Sequence, residues 1–221
     1  MQIALLGGTG DIGQGLALRL AHDTKHDVVV GSRNAEKART KADEYETELA
    51  SRDHDVAIAG LENAEAAARA DVVVLSVPAY YLSDTVEAVA DDLADAVVVS
   101  PAVGMQRDEA GVHYNPPGVG SVTALARRAV PDGVPVVGAF HNLAAGKLAN
   151  LDADLDWDVP LVGDDDDARE TVSALAAGIE GIRPLDAGGL DNAAEVESLT
   201  PLLINLAANN EGMHDLGVKF W

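Results

Sequence analysis

The sequence predicts an α/β protein built on a doubly wound parallel sheet, and three features lead to that class. Short runs rich in valine and isoleucine recur at 3–6, 28–30, 56–59, 72–77, 97–99 and 134–137. They are apolar throughout rather than alternating, as parallel strands covered on both faces are. Between them lie helical patterns such as Ala35, Ala38, Ala42, Tyr45 and Leu49, spaced as a helix with one buried stripe requires. Third, a glycine cluster follows the first run directly, and the alternation of strand and helix persists through about residue 140.

The first strand leads into Gly8, Thr9, Gly10, Asp11, Ile12 and Gly13, a G-x-G-x-x-G pattern, and an apolar-periodic helix follows from residue 15 to 21. In a dinucleotide-binding unit the first glycine permits a tight turn and the second lets the backbone approach a pyrophosphate. The third lets helix and strand pack closely, while free amides and the helix dipole face the anion. After the second strand, enzymes that use NAD place an acid that accepts from the adenine ribose hydroxyls. Here the chain reads Gly31, Ser32, Arg33, with Lys37 one helical turn on. A hydroxyl, a guanidinium and an ammonium suit a 2′-phosphate, which an acid would repel, so the pattern predicts NADP.

The fourth strand is expected to end at Ser76, Val77 and Pro78 and the fifth at Ser100 and Pro101, where their backbones would wall the nicotinamide half of the groove. His141, after the sixth strand, is the one histidine placed to touch substrate. Histidines 22, 26 and 54 fall in predicted surface segments, and no Tyr-x-x-x-Lys pair of the usual reductase kind is present. Beyond residue 150, runs at 159–162 and 182–185 flank an alanine-rich helix, and residues 193–209 read as one helix kinked by Pro201. The domain boundary is expected near 145, dividing a Rossmann-type dinucleotide domain (1–145) from a smaller C-terminal α+β portion (146–221).

Composition removes several classes. Without cysteine there is no disulfide framework, thiolate zinc site or catalytic thiol. A net charge of −22, with 24 Asp against 5 Lys, would repel nucleic acid and anionic membranes. The same imbalance resembles proteins of a salt-loaded cytoplasm. With no export pattern and no apolar run long enough to span a bilayer, a cytoplasmic location is expected. Asp152, Asp154, Asp156 and Asp158 alternate like a calcium loop, but Trp157 stands where that loop needs glycine and Gly163 where it needs glutamate. Residues 164–167, all aspartate, read as a helix start. Leu199, Leu203 and Leu206 form a stripe suited to the core or to a subunit contact.

The whole chain resembles the NADPH-dependent coenzyme F420 reductases. The resemblance is carried by residues 4–13, 15–20 and 29–33, by Asn150-Leu-Asp, and by 157–160, 163–166, 183–188, 197–202 and 216–220. It implies hydride transfer between NADP and coenzyme F420, an 8-hydroxy-5-deazaflavin, by alignment of two rings in one cleft, without a catalytic side-chain acid or base. It carries over as NADP contacts the loop from Thr9 to Ile12 with Ser32, Arg33, Lys37, Val77, Ala145 and Leu216. The deazaflavin would lie between the loop at His141 and Asn142 and the C-terminal segment, and a homodimer is implied. One departure is the loop His141-Asn-Leu-Ala-Ala145, where the family has a proline. Other readings of the N-terminal unit are an NADP-dependent imine or carbonyl reductase and a non-catalytic NADP-sensing module.

Overall fold

Alternate residues of β1 (Gln2–Leu6) enter two separate apolar cores: Ile3 and Leu5 join one, Ala4 and Leu6 the other. The computed structural model, which describes residues 1–221, repeats this division along β2 (Asp27–Ser32), where Val28 and Val30 face one core and Val29 the other. Valine runs therefore form the strands because both faces are covered. On the first face lie α1 (Asp11–Asp23) and α2 (Ala35–Ala50), the latter burying Ala38, Ala42, Tyr45 and Leu49 as its spacing predicts.

The chain continues through β3 (Ala59–Glu62), α3 (Asn63–Ala67), β4 (Val72–Leu75), α4 (Leu82–Glu87) and β5 (Val97–Ser100). Next come a hairpin of β6 (Met105–Asp108) and β7 (Gly111–Tyr114), then α5 (Val122–Ala129), β8 (Val136–Gly138) and α6 (Ala145–Ala149). It ends with β9 (Trp157–Gly163), α7 (Asp166–Ala177), β10 (Ile182–Asp186), α8 (Ala193–Glu197) and α9 (Leu199–Asn209). Eight strands form one sheet in the order β10-β9-β8-β5-β4-β1-β2-β3. The order reverses between β1 and β4, and a crevice opens there beyond the strands' carboxyl ends.

Several expectations are corrected. The sheet is not wholly parallel, because β9 runs antiparallel to β8. After β8 the backbone turns at Phe140, whose φ is +67°, and the five-residue α6 is too short a crossover to return the chain to the far end of the sheet. The third strand lies at 59–62 rather than 56–59, since the N–H of Ile58 is taken by the Glu46 carboxylate of α2 at 2.7 Å instead of by the ladder. The span 193–209 is two helices meeting at Ser198 rather than one kinked helix, with Pro201 in the first turn of α9, where a missing N–H costs little. The exposed β6–β7 hairpin was not expected. Asn205 of α9 pairs with both backbone groups of Val112, at 2.9 and 2.6 Å, as a neighbouring strand would.

The expected boundary at 145 falls on the first residue of α6, and the sheet and main core continue across it to β9 and β10. Arg19 joins the two sides. Buried on α1, it donates to the carbonyls of Leu148 (3.0 Å), Asn150 (2.7 Å) and Ala153 (2.8 Å). These include the last carbonyls of α6, which no helical amide can reach.

The aspartates of the calcium-like run diverge. Asp152 pairs with Arg52, Asp156 with Lys219, and the fully buried Asp158 with Arg183. Asp165 caps α7 by accepting from the Ala168 amide at 2.8 Å, and Asp164 accepts from Leu190 at 2.9 Å.

Candidate functional site

The glycine turn leaves β1 at the switch point. Gly7 takes a φ of +79°, so the tight turn falls there, one residue before the Gly8 to which the motif assigned it. A Cβ on Gly7 would lie 2.6 Å from Cγ1 of Val77 and 2.7 Å from the Ser76 carbonyl. Thus the turn from β1 and the one after β4 are in contact. Gly13 packs α1 on the turn as expected, for a Cβ there would approach the Gly8 Cα to 2.5 Å. Gly10 is the N-cap of α1 and supplies no side-chain cap, which leaves first-turn amides of the helix to a ligand. Gly10 and Asp11 are exposed, while Thr9 and Ile12 are half-buried.

A groove of about 210 Å³ opens beside this turn. It brings together Thr9, Gly10, Ser32, Arg33, Lys37 and Val77 with the expected wall residues Ser76 and Pro78, and adds Gly7, Asn63, Tyr81 and Thr85. Ser32 Oγ accepts from the Asn34 amide at 3.2 Å, and Asn34 caps α2 by accepting from the Lys37 amide at 3.0 Å. The cap fixes the start of α2 and so the point from which Lys37 projects. Elsewhere on α2 and just beyond it, Lys41 and Arg52 are paired with Glu44 and Glu48. Arg33 and Lys37 have no carboxylate partner, and Arg33 instead lies over the Tyr81 ring. Gly31 is closely packed: a Cβ there would stand 2.9 Å from Oδ1 of Asn63 and 3.2 Å from the Leu5 carbonyl, so a side chain at this position requires its neighbours to shift.

The polar wall of the groove fits a dinucleotide. Asn63 Oδ1 and Ser76 Oγ are buried without a hydrogen-bond partner in the protein, as groups that serve a ligand are. Anionic groups of NADP would find the uncapped first-turn amides of α1, just past Gly10, and two cations without a carboxylate partner. Sequence reasoning missed Asn63 and Tyr81 because neither stands in the glycine motif or at the end of β2.

A second cavity, about 330 Å³ and mostly apolar, lies past the end of β8. Asn142, Leu143, Ala144 and Ala145 form one side, Thr200, Leu203, Ile204 and Ala207 of α9 another, and Asp215 and Leu216 a third. Because β8 is parallel to the strands from β5 through β1, this cavity and the groove share one edge of the sheet. Ala145 and Leu216 thus sit in the apolar cavity, apart from the residues lining the groove.

The C-terminal segment holds Leu216 there by several bonds to β9. The Asp158 amide donates to the Val218 carbonyl at 2.7 Å, and the Phe220 amide donates to Asp158 Oδ2 at 2.6 Å. Arg183 donates to both oxygens of Asp158, at 2.8 and 2.6 Å, and chiefly this holds the Asp158 carboxyl down to about 2.

His141 is placed otherwise than expected. Its side chain is buried, its Nε2 is 3.3 Å from the Thr123 hydroxyl, and only its carbonyl faces α9, accepting from Thr200 Oγ1 at 2.7 Å. Burial pushes the imidazole down to about 3, so it is neutral at ordinary pH. Behind it the buried carboxylate of Glu197 accepts from the amides of Val122 and Thr123 and from the hydroxyls of Thr123 and Tyr114, at 2.8 to 3.0 Å. This network closes the N-terminus of α5 and backs the cavity wall. Asn142 is also buried and donates to the Asp158 carbonyl at 2.8 Å, though it lines the cavity.

A reversed-order parallel sheet, a glycine turn at its switch point and unpaired cations after β2 define the class: a Rossmann-type NADP-dependent oxidoreductase. The model of the family described as NADP oxidoreductase, coenzyme F420-dependent, matches residues 2–104. An F420-dependent NADP reductase of Methanothermobacter thermautotrophicus is 41% identical over 222 residues, covering 99% of this chain and 94% of that protein. Its namesake in Methanocaldococcus jannaschii is 39% identical over 209 residues, covering 93% of this chain and 92% of the relative. A crystal structure from Arthrobacter sp. FB24, provisionally described as an F420-dependent NADP reductase, matches with a TM-score of 0.80 at 26% identity, covering 100% of this chain and 99% of that one. The chain belongs to the F420-dependent NADP reductase family.

Proposed function

We propose that this protein transfers a hydride reversibly between NADP(H) and coenzyme F420, with both held along one edge of the sheet. The observation that carries the reading is the groove that gathers Ser32, Arg33 and Lys37 beside the glycine turn, on the same edge as the apolar cavity. The turn from Gly8 to Gly13, with Thr9, Gly10, Asp11 and Ile12, receives the pyrophosphate, and Ser32, Arg33 and Lys37 hold the 2′-phosphate. Charged hydrogen bonds of this kind contribute about 1.5 to 3 kcal/mol each. Val77 and Pro78 wall the groove toward the nicotinamide.

Ala145 and Leu216, with Asn142, line the cavity where the two rings meet, while His141 supports its wall from behind. Once bound, the rings supply the chemistry, a hydride passing between C4 of the nicotinamide and C5 of the deazaflavin. What the chain contributes is alignment and exclusion of water, for which apolar walls suffice. A neutral, buried His141 is poorly suited to donate a proton, which supports transfer without a side-chain acid.

In this reading residues 1–145 serve the dinucleotide, and residues 146–221 serve the deazaflavin and a homodimer contact. Exposed Leu202 and Leu206 on α9 support the dimer. No helix is long and apolar enough to cross a membrane, and the cytoplasm of a salt-accumulating cell fits the acidic composition. The test is isotopic. With NADPH deuterated at both C4 positions, reduced deazaflavin should carry deuterium at C5; deuterium lost to solvent would contradict direct transfer.

A further inference from the structure

The carbon at the centre of the Arg33 guanidinium lies 5.1 Å from the centroid of the Tyr81 ring. The two residues reach this contact from opposite walls of the groove, Arg33 directly after β2 and Tyr81 at the end of a short 3-10 turn, Ala79–Tyr81, after β4. Tyr81 is fixed in the backbone. Its amide donates to the Pro78 carbonyl at 2.9 Å, and its carbonyl accepts from the buried Thr85 hydroxyl at 2.8 Å. Its ring also packs on Tyr80, with centroids 4.4 Å apart. Arg33, by contrast, is exposed and has no carboxylate to orient it.

We infer that Tyr81 is a positioning residue for NADP selection: its ring restrains the Arg33 guanidinium at the groove so that the guanidinium edge is presented to the 2′-phosphate. The inference rests on the NADP reading of the groove. A cation over an aromatic face keeps its in-plane N–H donors free, and these are the donors that meet phosphate oxygens. An exposed arginine otherwise samples many rotamers, and ordering it on binding lowers affinity. Tyr81 acts through Arg33, so its effect should follow the 2′-phosphate and leave the hydride step unchanged.

The test uses adenosine 2′,5′-bisphosphate and adenosine 5′-monophosphate as calorimetric probes of the whole protein, with KM and kcat for NADPH and NADH alongside. Tyr81→Leu should weaken the bisphosphate roughly five-fold, as loss of an exposed cation–π contact would, and leave the monophosphate and kcat unchanged. Tyr81→Phe, which keeps the ring, should restore wild-type binding. In an Arg33→Ala background Tyr81→Leu should have no further effect. Equal losses for both probes, no loss for either, or a full effect without Arg33 would each overturn the proposal. A wild-type protein that binds both probes alike would instead overturn the NADP reading on which it rests.

Discussion

The phenol of Tyr45 donates to the carbonyl of Gly8 across 3.0 Å, binding the helix that carries Lys37 to the turn that carries Thr9 and Gly10. Burial pushes the phenol up to about 12, so the bond is intact at all ordinary pH values. A raised phenol favours the folded state below its ordinary value of 10.0, and that contribution is lost as pH rises through 12. Tyr45→Phe should lower stability by about 1 kcal/mol. It should also weaken NADPH several-fold, measured by urea unfolding and fluorescence titration.

The proposed reading makes cofactor choice depend on Arg33. Arg33→Ala should weaken NADPH about ten-fold or more, the worth of a charged hydrogen bond, with little effect on NADH. Paired titrations with the two nucleotides give the ratio directly, and equal losses would contradict the 2′-phosphate assignment.

Arg19 offers a test of how α1 is joined to the segment that follows β8. Arg19→Leu would leave the carbonyls of Leu148, Asn150 and Ala153 without their donor. A destabilisation of about 3 kcal/mol is expected, from groups that each cost about 1 to 3 kcal/mol when left unpaired. Denaturant unfolding measures it.

Asp158 links the C-terminal segment to pH. Its carboxyl is held at about 2, below its ordinary value of 3.8, so its contribution is present above pH 3.8 and lost as pH falls through 2. Asp158→Asn should unfold at higher pH on acid titration. It should also raise KM for the deazaflavin more than for NADPH, because the segment bearing Leu216 loses its anchor.

Much of this was legible in the valine runs and in the residues from Gly8 to Lys37, because strands buried on both faces and phosphate-binding turns are made by local residue choice. The groove gathers Ser32, Arg33 and Lys37 as those residues led one to expect. What local pattern hid is tertiary. Tyr81 reaches Arg33 only because β4 lies beside β1, and Glu197 reaches Thr123 across 74 residues. The direction of β9 depended on a left-handed turn at Phe140, a residue type seldom found in that conformation. His141 was misplaced for a related reason. Its position at the end of a strand was right, but whether a side chain points into a cleft or behind it depends on what packs around it.

Salt dependence tests the acidic surface. Screening of a net charge of −22 should raise the melting temperature markedly between dilute buffer and molar potassium chloride. An unchanged melting temperature would count against a salt-adapted chain.

The most direct measurement of the central claim is to mix the purified protein, in high salt, with NADPH and oxidised coenzyme F420 and follow the deazaflavin absorbance. Rapid loss with NADPH and little with NADH is predicted. NADPH binding without any loss of deazaflavin absorbance would contradict it.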